Sequence, residues 1–529
     1  MRNSRRNGSA SRLLGIDFGT GGAKSCVMDD QGVVLAYAFR EDPIIHTNPG
    51  WSEHDPEAYW RVTLEIIEEV LRESQTPGHE IAGIAVSSAV PSMVMVDGQG
   101  HPVARACNLM DRRAVAEVDI IRDIVGEATI EEVTANRIED HPNLVNLFWY
   151  QRNRPQIYSS VYKAMTIDGF IVSRLTDQFT LNRSSAIFFG IAFDIRTGRF
   201  RDDILEKLGI DPSLMPTLFD PTEQVGGVTA AAARETGLHQ GTPVVAGQVD
   251  CNAAWIAGGA IEPGDMQLNL GTSGVLGILH QDPEFLRSPE GLRVLNIPYT
   301  TAPRQTFAAV AVTTTGGQAL RYLRDTLGAG EVDLAKQLNV SAYDLITVQA
   351  KDIPAGSEGL LVLPYLMGER SPIWDTAARA VMFGLSLHHT RGHIIRAFLE
   401  GVAYALYDSL SVLQKSGLGI SYPLVFNEGG AKSEIWRRII TDVFGIPTVL
   451  LEGRTGAPLG DAILAGVGVG VFDDFTVAKD WARYSDHLEP DAANHALYDE
   501  YFRVYKNVYT SLEPNFRELQ TLLRKGTDQ

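Results

Sequence analysis

Leu14-Gly-Ile-Asp-Phe-Gly-Thr-Gly-Gly22 and Met266-Gln-Leu-Asn-Leu-Gly-Thr-Ser-Gly274 follow one pattern. Each is a short apolar strand, a polar Asp or Asn, a turn of Gly, Thr and other small residues, and a second strand-like run. A Walker A or dinucleotide-binding loop leads from a strand into a helix, whereas these turns lead back into a strand. Two matched copies therefore predict two related halves, each opening with a β-hairpin.

Strands and helices alternate through the rest of the chain, which predicts an α/β protein. Apolar periodicity and turn residues predict helices over 56–73, 393–413, 436–444 and 496–524, and strands over 33–38, 81–86, 93–96 and 423–426. The chain loosens around 252–264, where the two halves are expected to meet. The resulting boundaries are a flexible tail over 1–11, an N-terminal domain over 12–254, a C-terminal domain over 255–475 and a helical segment over 476–529 that packs on the body.

Composition excludes several classes of protein. The chain has 529 residues and a formal net charge of −19, which argues against a nucleic-acid partner. Its three cysteines form no CxxC pair, so neither a zinc site nor a disulfide framework is expected, and a reducing cytoplasm fits best. The apolar run Leu13-Leu14-Gly15-Ile16 is too short for a signal-peptide core, and no stretch approaches the roughly 18 apolar residues of a membrane span.

The first Gly-Thr turn carries residue types that phosphoryl transfer requires. Gly19 and Gly21 let backbone N–H groups approach a phosphate, and Thr20 adds a hydroxyl. Asp17, at the end of a strand, is a candidate for holding Mg²⁺ directly or through water. Lys24 is spaced to bring a positive charge near the transferred group, although a solvated surface lysine remains the alternative.

Further candidates lie later in the chain. Gly271, Thr272 and Ser273 form the turn of the second hairpin pattern. A third loop, Gly429, Gly430, Ala431 and Ser433, leads from a strand into a helix whose N-terminus favours negative charge, and Ser433 is also suited to cap that helix. Asp250 follows an apolar strand and is the best candidate for a general base, although Asp at a strand end is often only a turn former.

These motifs together resemble the FGGY carbohydrate kinases over about residues 12–510. The resemblance rests on seven segments whose order and spacing are specific to that family: Asp17-Phe-Gly-Thr-Gly21, Pro49-Gly-Trp-Ser-Glu-His-Asp-Pro56, Met110-Asp-Arg-Arg113, Gly247-Gln-Val-Asp250, Asn269-Leu-Gly-Thr-Ser273, Gly368-Glu-Arg-Ser-Pro372 and Gly429-Gly-Ala-Lys-Ser433. It implies two actin-like, ribonuclease H-like ATPase domains with a ligand cleft between them.

The resemblance also implies roles for single residues. Asp250 matches the family's catalytic aspartate, which accepts the proton of the attacking hydroxyl, and Asp17 matches the acid linked to Mg²⁺. Thr20 and Thr272 match phosphate contacts, and Gly430-Ala431 matches the adenosine loop. A turn at Gly316 and Gly317 resembles a further nucleotide contact. ATP and Mg²⁺ are the expected cofactors.

A small sugar is the expected second substrate. Its predicted contacts are Trp51, Asp111, Arg112, Asp250 and Asn252. Trp51 also suits a core aromatic, and Arg112 and Arg113 could equally be surface or salt-bridged side chains. The first choice of substrate is a pentulose resembling xylulose or ribulose. The family's xylulokinases have Met-His-Gly where this chain has Val90-Pro91-Ser92, and this difference leaves the particular pentulose open.

Other functions of the same fold stay open from the sequence. The alternatives are a kinase of another polyol or linear sugar, such as erythritol, glycerol or a signalling ketose, and a non-kinase actin-like ATPase. The expected partners are the sugar and Mg-ATP, with no nucleic acid and no membrane, and the resemblance allows a homodimer.

Overall fold

The computed structural model describes residues 11–301, 305–427, 429–453 and 456–527, with the side chains of 524–527 excepted. The predicted tail over 1–11 lies outside the described residues except for Ser11. The described residues form two compact units. The first unit comprises the described residues of 1–261, 297–307 and 453–482, and the second comprises those of 262–296, 308–452 and 483–529.

The first unit is built on a seven-stranded sheet. Its central strand, Arg12–Gly19, pairs antiparallel with Gly22–Asp29 and parallel with Ile81–Ser88. The strands of this unit are Arg12–Gly19, Gly22–Asp29, Val34–Glu41, Glu53–His54, Ile81–Ser88, Val94–Val96, Ala106–Cys107, Lys163–Met165, Thr180–Asn182, Phe193–Asp194, Arg199–Phe200, Thr217–Phe219, Gln224–Gly227, Pro243–Val245 and Gln248–Val249. Its helices are Pro56–Glu73, Val115–Val125, Glu127–Thr134, Asn143–Asn153, Pro155–Tyr158, Ile167–Thr176, Arg183–Ala186, Asp202–Lys207, Ala230–Thr236, Asp250–Ala257, Ala457–Gly468 and Thr476–Trp481.

The second unit repeats this plan in another seven-stranded sheet. Met266–Leu270 pairs antiparallel with Gly274–His280 and parallel with Leu424–Asn427. The strands of this sheet and of a small additional ribbon are Met266–Leu270, Gly274–His280, Leu295–Tyr299, Thr306–Thr313, Leu361–Leu363, Val381–Phe383, Leu424–Asn427, Thr448–Leu451 and Tyr484–Leu488. The helices are Gly317–Leu327, Ala329–Leu338, Ala342–Thr347, Arg391–Lys415, Glu434–Phe444 and Ala492–Thr527.

Both predicted hairpins are therefore present. We call Arg12–Gly19 with Gly22–Asp29 the first hairpin, and Met266–Leu270 with Gly274–His280 the second hairpin. In each unit the hairpin's first strand also pairs in parallel with a strand from later in the chain, so the two sheets share their central topology. This confirms the predicted α/β fold with two related halves.

The helix Pro56–Glu73 shows why several local predictions hold. Asp55 caps it by accepting from the backbone N–H of Glu57 at 3.1 Å, and Pro56 occupies its first turn, where no backbone donor is needed. Its apolar residues recur at the helical period and are buried against the first sheet. The structure places this helix at the predicted residues.

Two parts of the chain differ from the sequence-based organisation. The region expected to loosen around 252–264 begins as the helix Asp250–Ala257. Residues 453–482 group with the first unit, although the sequence-based boundaries assign them to later segments. Their helix Ala457–Gly468, here called the return helix, approaches the first sheet so closely that a Cβ on Gly15 would lie 1.8 Å from the carbonyl oxygen of Pro458.

Apolar cores fill both units. The core of the second unit extends to the long helix Ala492–Thr527, which supplies Tyr498, Tyr505 and Phe516. In the described part of the chain, no helix combines the length and the hydropathy that crossing a membrane requires.

Candidate active site

A row of polar residues crosses the first sheet where the first hairpin turns. Strand register pairs Asp17 with Lys24 on one side and with Ser87 on the other, and Ser87 in turn pairs with Gln248. Directly paired residues of neighbouring strands point to the same face of a sheet, so these four side chains share one face. Asp17 was predicted from the turn pattern, whereas its partner Ser87 was not.

Asp17 is the electrostatic centre of this row. It is 1% exposed, and Lys24 Nζ lies 3.1 Å from its Oδ2. Burial raises the pKa of Asp17, and the charge of Lys24 offsets part of that effect. The pKa of Lys24 is raised, chiefly by the charge of Asp17. The carboxyl group of Asp17 and the amino group of Lys24 are therefore in contact near the exposed turn residues Thr20 and Gly21.

Asp250 begins a helix beside this row. The preceding strand, Gln248–Val249, pairs with Ser87 and Ser88, and the helix Asp250–Ala257 starts at the next residue. Its Oδ1 accepts from the backbone N–H of Cys251 at 2.7 Å. After Asp17, the charge of Asp250 also contributes to raising the pKa of Lys24. The charges of Asp17 and Asp250 thus both act on Lys24.

The return helix adds a residue that sequence reasoning missed. Asp461 is fully buried, and its Oδ2 lies 2.5 Å from Ser87 Oγ, which is itself 3.2 Å from Asp17 Oδ1. Burial, followed by the charges of Asp17, Asp168 and Asp250, raises the pKa of Asp461 well above its ordinary value. The one available signal was an acidic residue within the otherwise apolar run Ala457-Pro-Leu-Gly-Asp-Ala-Ile-Leu464.

Trp51 and Asp111, both predicted sugar contacts, belong to a cluster around Arg113. The guanidinium of Arg113 lies 4.0 Å from the centre of the Trp51 ring, and its nitrogens reach Asp111 Oδ2 at 2.7 Å and Glu53 Oε1 at 2.9 Å. The side chain of Arg113 is fully buried. A buried cation bridging two carboxylates and stacked on an aromatic ring holds its neighbours in a fixed geometry.

Both carboxylate oxygens of Asp111 accept hydrogen bonds within this cluster. Oδ2 also accepts from the backbone N–H of Ser52 at 2.8 Å, and Oδ1 accepts from Arg113 Nε at 2.8 Å. Arg112, by contrast, is 39% exposed and has its Nε 3.3 Å from Asp140 Oδ2. Of the predicted sugar contacts in this cluster, Trp51 and Arg112 are therefore the more accessible, and Asp111 acts mainly on Arg113 and Ser52.

Asn252, the remaining predicted sugar contact, is buried in the helix that starts at Asp250. Its Nδ2 donates to the carbonyl oxygen of Pro298 at 3.0 Å. The hydroxyl of Tyr299 donates to the carbonyl of Ala260 at 2.8 Å and lies 3.4 Å from that of Asn252. These bonds fix the helix behind Asp250.

In the second unit, the turn of the second hairpin is packed against another predicted turn. Gly316 N–H donates to the carbonyl of Thr272 at 3.0 Å, and Gly317 N–H donates to that of Gly271 at 2.6 Å. A Cβ on Gly316 would lie 2.3 Å from the carbonyl carbon of Ser273. Only glycine allows backbone to approach backbone this closely. The helix Gly317–Leu327 starts at this point and directs its N-terminus toward it.

Glu369 braces this pair of turns, a role that sequence reasoning did not assign to it. It is 3% exposed, and it accepts from Thr313 Oγ1 at 2.5 Å, from the backbone N–H of Thr314 at 2.7 Å and from that of Arg370 at 2.8 Å. Burial raises its pKa to about 7, against the lowering effect of these hydrogen bonds.

The loop Gly429–Ser433 reaches the same strand end. A Cβ on Gly430 would lie 2.8 Å from the carbonyl oxygen of Leu270, the residue before the second hairpin's turn. Gly429 is exposed and a Cβ on it would meet no atom within 4 Å, whereas Ala431 is buried. Ser433 caps the helix Glu434–Phe444 by accepting from Trp436 N–H at 3.4 Å. Three predicted glycine loops thus converge at one end of the second sheet.

Comparisons with known proteins identify the family of the chain. Sequence models of the FGGY family of carbohydrate kinases match residues 12–257 as the N-terminal domain and 266–469 as the C-terminal domain. The chain is 30% identical over 500 residues to the xylulose kinase of Lactococcus lactis subsp. lactis (strain IL1403), covering 94% of this chain and 96% of that protein. It is 26% identical over 509 residues to the gluconokinase of Bacillus subtilis (strain 168), covering 96% and 98%.

A solved structure extends the agreement to the whole fold. The crystal structure of xylulose kinase from Rhodospirillum rubrum superposes with a TM-score of 0.86 at 28% identity, covering 96% of this chain and 100% of that one. The two related sheets, the matched hairpins and the family models all point to one assignment. The chain belongs to the FGGY family of carbohydrate kinases, enzymes that phosphorylate sugars with two actin-like domains.

Proposed function

We propose that this carbohydrate kinase transfers the γ-phosphoryl group of Mg-ATP to a hydroxyl of a pentulose. The observation that carries the chemistry is the contact of Asp17 with Lys24 beside Asp250, next to an exposed Gly-Thr turn. The similarity to xylulose kinases along nearly the whole chain supports the choice of sugar. The same proposal places the enzyme in the cytoplasm, where ATP is abundant and its cysteines stay free.

ATP would bind where the three glycine loops of the second unit converge. The turn Gly271–Ser273, whose Thr272 is exposed, and the helix Gly317–Leu327 that packs on it would face the phosphate oxygens with a hydroxyl and with the positive end of the helix dipole, since the N–H groups of Gly316 and Gly317 already donate to the carbonyls of Thr272 and Gly271. The loop Gly429–Ala431, with open space at Gly429, would lie along the adenosine. Thr20 of the first hairpin and Thr272 of the second are exposed and would donate hydroxyls to the phosphates.

The residues present fit Mg²⁺ bound together with ATP. Among the described residues, no group of three His, Cys, Asp or Glu side chains could hold a metal by itself. Mg²⁺ in kinases is held by one or two carboxylates plus phosphate oxygens and water, so a single buried carboxylate suffices. Asp17 would hold the ion, which when bound neutralises charge on the phosphates.

Asp250 would act as the general base. Its carboxylate accepts the proton of the sugar hydroxyl while the hydroxyl oxygen forms a bond to the γ-phosphorus. The bond from that phosphorus to the β–γ bridging oxygen breaks, and ADP leaves with the electron pair. Lys24, held by Asp17, supplies a positive charge near the transferred group.

The sugar would lie near Trp51, Arg112 and Asp250. Asp111 and Asn252 hold the surrounding backbone through the bonds described above. In the segment that departs from the xylulokinase pattern, the backbone carbonyl of Ser92 accepts from Asn143 Nδ2 at 2.8 Å, and Ser92 Oγ lies 3.4 Å from the backbone N–H of Ile167. Ser92 is thus directed into the unit, and Val90 is the most exposed residue of the three.

A substrate panel tests the choice of sugar. Purified enzyme with Mg-ATP would be assayed for ADP release with D-xylulose, D-ribulose, L-ribulose, gluconate, erythritol and glycerol. A pentulose is expected to give the highest kcat/KM. Gluconate is the specific competitor, because a gluconokinase is also among the relatives. A highest kcat/KM for gluconate or for a polyol would refute the pentulose proposal.

The variant Asp250→Asn tests the base. Removing a general base is expected to lower kcat by roughly a hundredfold to ten thousandfold. ATP affinity, measured by calorimetry, should stay near that of the wild type. Cys251→Ser is the matched control at the same helix start, and its kcat should change little. Wild-type kcat in Asp250→Asn would exclude Asp250 as the base.

A further inference from the structure

Ser87 contacts two carboxyl groups, and the number of hydrogens available decides which of these contacts can be hydrogen bonds. Its Oγ lies 2.5 Å from Asp461 Oδ2 and 3.2 Å from Asp17 Oδ1, both within hydrogen-bond distance. A serine hydroxyl has one hydrogen to donate, and an ionised carboxylate has none. Two ionised carboxylates would therefore leave one of these two contacts without a hydrogen. A complete chain of hydrogen bonds needs one more proton, and that proton must sit on Asp461 or on Asp17.

The surroundings favour Asp461 as its carrier. Asp17 has the ammonium group of Lys24 at 3.1 Å, which stabilises its ionised form. Asp461 is fully buried, and its Oδ1 has no hydrogen-bond partner among the described residues. Among the described residues no cation forms a salt bridge with Asp461, and the charges of the acids Asp17, Asp168 and Asp250 add to burial in raising its pKa. A buried carboxylate without a cation is far more costly than a neutral carboxylic acid.

We propose that Asp461 is a positioning residue that stays protonated and donates from Oδ2 to Ser87 Oγ, so that Ser87 donates its own hydrogen to Asp17 Oδ1. The return helix thereby fixes the orientation of the Asp17 carboxylate, with Oδ1 bound to Ser87 and Oδ2 bound to Lys24. The inference rests on the proposed role of Asp17 in phosphoryl transfer for its effect on catalysis, but the protonation of Asp461 does not depend on that role.

Variants of Asp461 separate a neutral donor from an ionised group. Asp461→Asn has nearly the same shape, and its amide nitrogen donates to Ser87, so kcat is expected within about threefold of the wild type. Asp461→Ala removes the donor and should lower kcat by about tenfold or more, with a higher KM for Mg-ATP and little change in the KM for sugar. Ser87→Ala should show the same pattern, and combining it with Asp461→Ala should add little, because both break one chain.

Infrared spectroscopy reads the protonation directly. A protonated carboxylic acid has a carbonyl stretch well separated from carboxylate bands, and the wild-type minus Asp461→Asn difference spectrum at neutral pH should contain it. Glu400→Gln is the matched control, because Glu400 is a buried carboxyl of the second unit that has its own cation, with Arg396 Nε at 2.8 Å. That variant should leave the Asp461 carbonyl band in place.

Two results would overturn the inference. One is an Asp461→Asn enzyme as impaired as Asp461→Ala, since the neutral donor would then not be what matters. The other is the absence of the carbonyl band from the difference spectrum. A wild-type kcat in Asp17→Asn would instead refute the proposed role of Asp17 while leaving the infrared test valid.

Discussion

The two hairpins share one backbone plan and differ in chemistry. In the first hairpin, Asp17 is paired across the strands with Lys24, and the two form a salt bridge. In the second hairpin, the corresponding pair is Asn269 with Val275. The first turn has two residues between its paired ends, Thr20 and Gly21, and the second has three, Gly271 to Ser273.

The two turns are also supported differently. The first turn is supported by side chains, through the hydrogen-bonded series Asp17, Ser87 and Asp461. Behind the second, backbone packs on backbone at Gly316 and Gly317. One backbone plan is thus supported by polar and charged side chains in the first unit and by close backbone packing in the second. Removing a charge should damage the first hairpin, and adding a Cβ should damage the second.

Among the tests of this comparison between the hairpins, the largest effect is expected from giving the first hairpin the residue of the second. Asp17→Asn should lower kcat by roughly a hundredfold to a thousandfold, because a preorganised charge at the transferred group is lost and Lys24 loses its partner. Steady-state kinetics with saturating Mg-ATP measure this. Asp30→Asn, in the exposed turn at the far end of the hairpin, is the control and should behave as the wild type.

The reverse exchange tests the other half of the comparison. Asn269→Asp places a carboxylate at a position that is 6% exposed and should lower the free energy of unfolding by about 1–3 kcal/mol. Denaturant unfolding measures the change. An unchanged stability would mean that the second hairpin tolerates charge and that the contrast between the hairpins is not electrostatic.

Adding a methyl group at Gly316 should damage the second hairpin through its backbone. The Cβ of Gly316→Ala would lie 2.3 Å from Ser273, so the two turns must separate, and the KM for ATP should rise by roughly tenfold. Gly419→Ala is the control elsewhere in the second unit, because its Cβ would meet no atom within 4 Å and no nucleotide contact is proposed there. Equal KM values for the two variants would show that the close approach at Gly316 is not needed.

Glu369 makes the support of the second hairpin sensitive to pH. Its pKa rises from the usual 4.5 to about 7, so the folded protein binds this proton more tightly than the unfolded chain does. Stability from this group is therefore complete below pH 4.5 and is lost as the pH rises to about 7. The wild type should lose about 3 kcal/mol more than Glu369→Gln across that window in denaturant unfolding. Parallel pH profiles for the two proteins would contradict this.

The smallest effect is expected at the cap of the third loop. Ser433→Ala removes the acceptor for Trp436 N–H and should cost about 1 kcal/mol of stability. Ser433→Asn should restore most of it, since asparagine also caps helices. The informative result is a lower kcat/KM for ATP in Ser433→Ala at a temperature where that variant is still fully folded, without recovery in Ser433→Asn. That combined result would show that Ser433 contacts the nucleotide, as the sequence pattern predicted.

The sequence was informative wherever structure depends on neighbouring residues. Both hairpins follow from the Gly-Thr turns between apolar strands, and the helix Pro56–Glu73 follows from its period and its cap. Ser87 and Asp461 were missed because their contact joins residues 374 positions apart. The sequence left open whether Arg112 and Arg113 are surface or salt-bridged residues, since no local pattern distinguishes the stacked, buried Arg113 from the exposed Arg112 beside it.

The return helix has a consequence for how the protein is made. The first unit needs residues 453–482 to cover its central strand, yet these are synthesised after most of the second unit. During translation the apolar strand Arg12–Gly19 is synthesised long before the return helix leaves the ribosome. The nascent chain therefore exposes an apolar, aggregation-prone face of the first sheet for many seconds. A fragment ending at residue 257 should therefore aggregate when expressed alone, and rejoining it with a separately supplied 453–482 peptide should be the way to rescue it.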